Sequence, residues 1–266
     1  MSISAWLKRR QVNEKIQCLV SEDERCCQLI DKINNLYGIC LKTINLSNLS
    51  VYFFIDMLEK AFAKANVSLP AVIDVLDIGT ADWYYASALL SFLRSWQDPK
   101  AVNLHGIDFP KKIYKKSINR LRDNCPLEIH WGDVMNFETE NKFDLIFLNH
   151  MLVGPNHCRN WKIPYHPFEE LLPHLESLNK PHGLIVITAN TYAGESSIAN
   201  CFSQESKLTE FVYDPDIKED SLSFLRGFFG FHDNLISICR SPYVDLEGCQ
   251  WQDEHTKEWD SILKRL

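Results

Sequence analysis

Residues Val72–Arg94 read VIDVLDIGTADWYYASALLSFLR, and the change of period inside this stretch decides the fold. Val72, Ile73, Val75, Leu76 and Ile78 form a nearly unbroken apolar run ending at Gly79-Thr80, the pattern of a central parallel strand buried on both faces. Tyr85, Ala88, Leu89, Phe92 and Leu93 then recur at spacings of three and four, which predicts an amphipathic helix with Asp82 as its N-cap. A strand, a tight turn and a helix in this order expose backbone N–H groups at the helix N-terminus. Gly79, with no side chain, lets a ligand come close to them. In open α/β sheets the ligand crevice lies there, beyond the carboxyl ends of the strands.

The pattern repeats downstream. Asn103–Asp108 reads as a second strand ending in an acid, with Ile118 and Leu121 in a helical stretch after it. An acid at that tip suits two ribose hydroxyls, because one carboxylate accepts both hydrogen bonds. Leu127–Trp131 is a third strand running into Gly132-Asp133-Val134. Phe143–His150 is a fourth and Gly183–Asn190 a fifth. These strands, separated by helices, predict an α/β fold with a doubly wound, mostly parallel sheet.

On these residues the chain resembles the class I S-adenosylmethionine-dependent methyltransferases from about Ala71 to Ser241. Asp77-Ile78-Gly79-Thr80-Ala81-Asp82-Trp83 stands where that family has an acid followed by three alternating glycines. Gly79 matches the first, and Ala81 and Trp83 replace the others. His105–Asp108 is similar to the ribose-binding strand, Trp131–Val134 to the adenine-contacting segment, and Phe143–Phe147 to the strand that leads to the methyl-transfer site. The resemblance implies a seven-stranded sheet in which the last strand enters antiparallel, with Leu208–Tyr213 and His232–Cys239 as the last two strands. It further implies S-adenosylmethionine as cofactor. Asp77 would lie near the methionine ammonium, Gly79 and Ala81 would give backbone contacts, and Asp108 would bind the ribose. Phe109 would lie against the adenine, Asp133 and Val134 would meet its edge, and Asn149 would meet the methionine portion.

The bulk of the sequence bounds the remaining choices. A chain of 266 residues buries roughly three quarters of its unfolded surface and stands without staples. Its nine cysteines never form Cys-x-x-Cys, and several fall at apolar positions, as buried thiols do. With no apolar signal region and no apolar run near the roughly 20 residues that cross a bilayer, a reduced cytoplasmic protein is expected, with no membrane partner. The net charge of −7 argues against a general nucleic-acid binder, which needs a basic face. Lys112, Lys116 and Arg120 do share one helical row. They read either as a phosphate-facing stripe or as the solvated face of the helix after the second strand.

Three segments flank the expected sheet. Residues 1–70 predict a helical extension or lid: Trp6, Val12, Ile16 and Leu19 have helical spacing. Ser21–Glu24 starts a second helix carrying Cys26, Leu29, Ile30, Ile33, Leu36, Tyr37 and Cys40, and a third runs from about Ser50 through Phe62. Residues 71–241 form the expected methyltransferase-like domain. Residues 242–266, with Trp251, His255, Trp259, Ile262 and Leu266 at helical spacing, predict a terminal helix folded back on the body. Between the fourth and fifth strands, Met151–Pro167 is an irregular loop of the kind that carries function, and Phe168–Leu178 should be a helix bent or shortened by Pro173.

Methyl transfer from a sulfonium needs little acid–base apparatus, because the leaving thioether is neutral, so binders matter most. Asp77 could instead tie down loop amides, and Asp133 could cap a helix. His150 is the expected general base if the acceptor must lose a proton, against the alternative of a histidine hydrogen-bonded at the core's edge. His150, His157, Cys158 and His166 match no usual zinc spacing, and no metal is expected. Trp83, Tyr84 and Tyr85 read either as an aromatic wall over the ligand or as core packing. The expected activity is S-adenosylmethionine-dependent methylation of a small molecule, with RNA or protein acceptors left open. The alternatives are a catalytically inactive binding module of the same fold and a nicotinamide-dependent oxidoreductase, which Gly79–Trp83 disfavours because it lacks the Gly-x-Gly-x-x-Gly fingerprint.

Overall fold

The structure is a computed structural model. It describes residues 13–14, 16–18, 20–39, 41, 46–80, 83–98, 100–109, 127–149, 162–190, 209–212 and 233–240. The helix expected over Ile118 and Leu121, the basic row, the loop from Met151 to Trp161 and the C-terminal segment lie outside these residues.

The order of elements is α1 (Glu24–Tyr37), α2 (Leu46–Lys64), β1 (Val72–Ile78), α3 (Ala86–Ser95), β2 (Ala101–Asp108), β3 (Leu127–Trp131), β4 (Phe143–Asn149), α4 (Phe168–Leu178), β5 (Asn179–Asn190), β6 (Thr209–Val212) and β7 (Asp233–Arg240). The strands form one sheet in the order β3-β2-β1-β4-β5-β7-β6. The first five are parallel, and β7 runs antiparallel to both β5 and β6. This is the expected doubly wound, mostly parallel sheet, with its last strand antiparallel.

Alternation along each strand divides the core in two. Ile73 and Val75 of β1, Val102 and Leu104 of β2, Ile129 of β3, Leu145 and Phe147 of β4 and Val186 of β5 face one side, where α1, α2 and α3 pack. Leu76, Ile78, Ile107, Ile146, Leu148, Ile185 and Ile187 face the other, against Leu171, Leu172, Leu175 and Leu178 of α4. Strands buried on both sides read in sequence as unbroken apolar runs, which is why β1, β4 and β5 were legible.

On the first face Phe62 and Phe92 stack edge-on with centroids 5.5 Å apart, and Trp96 meets both. The helix α1 begins at Asp23, whose side chain accepts from the Arg25 amide, and ends at Gly38 in the left-handed conformation. Asp56 of α2 is buried and takes ion pairs from Lys60 at 2.7 Å and from Lys32 of α1 at 3.4 Å, which ties the two helices together.

Several expectations are corrected. Val72 is 57 % exposed, because β4 pairs with β1 only from Val75 onward and leaves the start of β1 uncovered. Leu36 lies outside the buried stripe of α1, at 53 % exposure. Helix α2 begins at Leu46, earlier than Ser50, and β5 begins at Asn179 rather than Gly183. The register jumps from Phe143↔Asn179 to Leu145↔Leu184, so β5 carries an irregularity where His182 takes a positive φ. Helix α4 keeps its full expected span with Pro173 inside it, so it is not shortened. Tyr85, not Asp82, occupies the N-cap of α3 and makes no side-chain capping bond; Asp82 lies outside the described residues.

Candidate functional site

The parallel strands β1, β2 and β3 are hydrogen-bonded neighbours, and Asp77, Asp108 and Asp133 stand at or just past their carboxyl ends. Gly79 follows β1 with φ +79°, a conformation that costs glycine nothing, and its N–H donates to the carbonyl of Ile107 at 3.0 Å. That bond draws the turn after β1 over the end of β2. Beside it, the Thr80 hydroxyl is buried and has no hydrogen-bond partner among the described residues.

Asp77 is fully buried, and its Oδ2 accepts a 2.7 Å hydrogen bond from the indole N–H of Trp83. Trp83 is itself fully buried, within the first core, which decides between wall and packing in favour of packing. Its φ of +51° is left-handed, so a bulky residue holds the backbone conformation that a glycine would take in that place. Gly106, the register partner of Asp77, makes room for the ring. A Cβ there would stand 2.7 Å from Trp83 Cη2 and 2.9 Å from Thr80 Cγ2. Tyr85 is buried and meets Phe54 at 5.2 Å, whereas Tyr84 is exposed.

Asp108 is half-buried at the tip of β2, and its Oδ1 accepts from the Phe109 amide at 2.6 Å. Phe109 is half-buried beside it. Asp133 caps the single helical turn Val134–Asn136 by accepting from the Met135 amide at 3.1 Å, so the capping role holds. His166 Nε2 also lies 2.8 and 2.9 Å from the two oxygens of the same carboxylate. Val134 is buried against the second core.

The backbone of Asn149 ends β4 and pairs with Thr188. Ala81 and His150, together with His157 and Cys158, lie outside the described residues. Sequence reasoning missed the Trp83–Asp77 bond, the unsatisfied Thr80 hydroxyl and the His166–Asp133 contact. Each joins residues whose neighbourhood depends on sheet register or on loop course, and only the aromatic run after Gly79 hinted at the first.

Among the described residues, Cys18, Cys26 and Cys27 are free thiols. Burial, reinforced by the charge of Asp23, pushes Cys26 up to about 12, so it stays protonated and is no nucleophile. No helix among the described residues is long and apolar enough to cross a membrane.

No protein-family model and no curated protein matches the chain. Similar solved structures include N-methyltransferase NodS from Bradyrhizobium japonicum WM9 in complex with S-adenosyl-L-homocysteine. It is 15 % identical with a TM-score of 0.45, over 83 % of this chain and 100 % of that one. The plantazolicin methyltransferase BpumL, in complex with a pentazolic desmethylPZN analogue and S-adenosylhomocysteine, is 14 % identical with a TM-score of 0.44, over 90 % and 98 % of the two chains. An S-adenosylmethionine-dependent methyltransferase from Clostridium acetobutylicum ATCC 824 is 13 % identical with a TM-score of 0.41, over 71 % and 90 %.

Proposed function

We propose that the chain binds S-adenosylmethionine across the carboxyl ends of β1, β2 and β3 and transfers its methyl group to a small-molecule acceptor. The observation that carries this reading is the placement of Asp77, Asp108 and Asp133 at or just past the ends of three adjacent strands, with a glycine turn held by the Ile107 carbonyl. A carboxylate at Asp77 beside the Gly79 turn suits a ligand that places an ammonium there better than one that places a pyrophosphate. This disfavours the nicotinamide alternative.

The residues fit the adenosine half of the cofactor well. Asp108 and Phe109 are half-buried and so remain reachable, and they would hold the ribose and one adenine face. Asp133 and Val134 would meet the adenine edge. The buried Thr80 hydroxyl is a further donor available to a ligand lying over Gly79. On the methionine side, Gly79 admits close backbone approach, and Asn149, Ala81 and His150 would complete the site. Asp77 acts there through its negative charge and through the loop it anchors, since the Trp83 indole already occupies one of its oxygens.

The cofactor supplies an electrophilic methyl group on a positively charged sulfur. What the protein adds is orientation of the donor and acceptor and exclusion of water. His150 would take the acceptor's proton where one must leave.

A second reading, a binding module of the same fold without catalysis, draws support from the same Trp83–Asp77 bond, because the indole stands where a flexible glycine loop would otherwise be. One experiment separates the two. Thermal shift and calorimetry with S-adenosylmethionine, S-adenosylhomocysteine and NAD should give stabilisation of several degrees by the adenosyl compounds alone. Asp108→Ala should weaken that binding by roughly ten- to a hundredfold, the cost of losing hydrogen bonds to a carboxylate. Binding without methyl transfer to any acceptor in a small-molecule panel would favour the module. No binding of S-adenosylmethionine, S-adenosylhomocysteine or NAD would overturn the methyltransferase reading and favour a module that takes another ligand.

A further inference from the structure

We propose that His105, Glu128 and His130 form a binding site for a borderline transition-metal dication of the Zn2+ class, on the opposite face of the sheet from Trp83. His105 of β2 is the register partner of Glu128 of β3, and His130 lies two residues further on, opposite Ile107. Alternation along the strands puts all three side chains on the face of Ile107, which packs in the second core. The Glu128 carboxylate stands between the two imidazoles, with Oε2 3.4 Å from His105 Nδ1 and Oε1 3.5 Å from His130 Nε2. One donor atom from each residue lies within 4.8 Å of the other two.

These separations exceed the roughly 2.7–3.2 Å of a well-formed hydrogen bond. They do match the distance between two ligands of a tetrahedral zinc ion, about 3.4 Å for bonds near 2.0–2.1 Å. The remaining edge, between the two imidazole nitrogens, is at most 4.8 Å. The rings are already close to parallel, 14° apart with centroids at 5.8 Å. Phe143 meets His105 at 5.6 Å and Phe137 meets His130 at 4.8 Å, so phenyl rings back both ligands. Donors carried on paired strands and backed by aromatic rings are oriented before an ion arrives.

The chemistry selects the ion. Two imidazoles and a carboxylate suit Zn2+ and its neighbours, whereas Mg2+ and Ca2+ prefer sites made of oxygen. Three protein donors leave a fourth position for water. The side chains of His105, Glu128 and His130 are 17, 59 and 31 % exposed, so solvent reaches that position. Strand β3 ends the sheet on this side, and an ion held by both strands ties it to β2. Because the three donors come together only in the folded chain, binding stabilises the native state. The site is independent of the cofactor reading.

The test uses the full-length chain, stripped of metal with a chelator and titrated with Zn2+, Mg2+ and Co2+. Zn2+ should raise the melting temperature saturably and Mg2+ should not. Co2+ should give visible absorption without a thiolate-to-metal charge-transfer band, which separates this site from the cysteines. His105→Asn, His130→Asn and Glu128→Gln should each weaken Zn2+ binding by at least about tenfold, the scale seen even for residues that only support a ligand. Glu128 is more than half exposed, so Glu128→Gln should keep the melting temperature of the metal-free chain. Unchanged Zn2+ affinity in Glu128→Gln and in the histidine variants, or a Co2+ spectrum carried by thiolate in all of them, would overturn the proposal.

Discussion

The indole N–H of Trp83 donates to Asp77 Oδ2 at 2.7 Å, and both side chains are fully buried. The acid that ends the first strand is therefore part of the core as well as of the candidate site. Trp83→Phe keeps the aromatic bulk and removes the donor, leaving a buried carboxylate short of a hydrogen bond. It should cost about 1–3 kcal/mol, measured by chemical denaturation. Asp77→Asn separates the two roles, because its amide oxygen can still accept from the indole while the charge is gone. It should stay within about 1 kcal/mol of the parent in stability, yet lose affinity for a cationic ligand. If Asp77→Asn binds the adenosyl compounds as tightly as the parent chain, Asp77 serves structure alone.

Gly106 is the counterpart of this arrangement. A methyl group at this position would stand 2.7 Å from Trp83 Cη2 and 2.9 Å from both Trp83 Cζ3 and Thr80 Cγ2. An indole enclosed in a packed core cannot give way, so Gly106→Ala should destabilise by about 1–3 kcal/mol. The smaller ring of Trp83→Phe frees the atoms that clash most closely. In a double-mutant cycle the Gly106→Ala penalty should therefore shrink in the Trp83→Phe background. Equal penalties in the two backgrounds would mean that the strain lies elsewhere.

How much was legible follows from which contacts are local. The run Ile73–Ile78, the turn at Gly79 and the helix over Tyr85–Leu93 announced themselves, because burial on both faces and a change of period leave marks along the chain. The acids at 77, 108 and 133 could be placed because each lies within two residues of the end of its own strand. Trp83 could not, since its destination depends on Gly106, a residue on another strand whose missing side chain makes the niche. Residues 105, 128 and 130 escaped notice for the same reason: they form a group only once β2 and β3 are set in register. The exposure of Val72 likewise depends on where β4 begins to pair.

His166 and Met135 share the carboxylate of Asp133, one through a side chain and the other through a backbone amide. Asp133→Ala removes the cap of the turn Val134–Asn136 together with the anchor of the segment that carries His166. His166→Ala removes only the anchor. The first should cost about 1–2 kcal/mol and the second clearly less. The double variant should be no worse than Asp133→Ala alone, because the histidine contact is already lost there. Urea denaturation of the three variants measures this. Additive losses would place the partner of His166 elsewhere.

Lys180 links three strands of the sheet, reaching Asp74 of β1 at 2.7 Å and Asp144 of β4 at 2.8 Å from its own place on β5. Burial by itself would raise the pKa of Asp74, but hydrogen bonds from Asn103 and Lys180 and the lysine's charge outweigh it and hold the carboxyl below its ordinary value. Burial would likewise lower Lys180, and its two carboxylate partners reverse that and raise it. A carboxyl lowered on folding stabilises the native state above its unfolded pKa near 3.9, and that contribution fades as pH falls through the folded value. A raised lysine contributes fully below about 10.4 and fades as pH rises through its folded value. Lys180→Met should therefore cost most on the plateau between about pH 5 and 9. Since the side chains of Lys180 and Asp74 are 36 and 30 % exposed, screening limits the loss there to about 0.5–1 kcal/mol. Denaturation midpoints of the two chains, taken from neutral pH downward, should converge only as pH falls through the lowered folded pKa of Asp74, beneath the ordinary carboxyl value. A gap that persists unchanged below that pKa would mean that Lys180 stabilises the sheet by packing its aliphatic stem rather than by its charge.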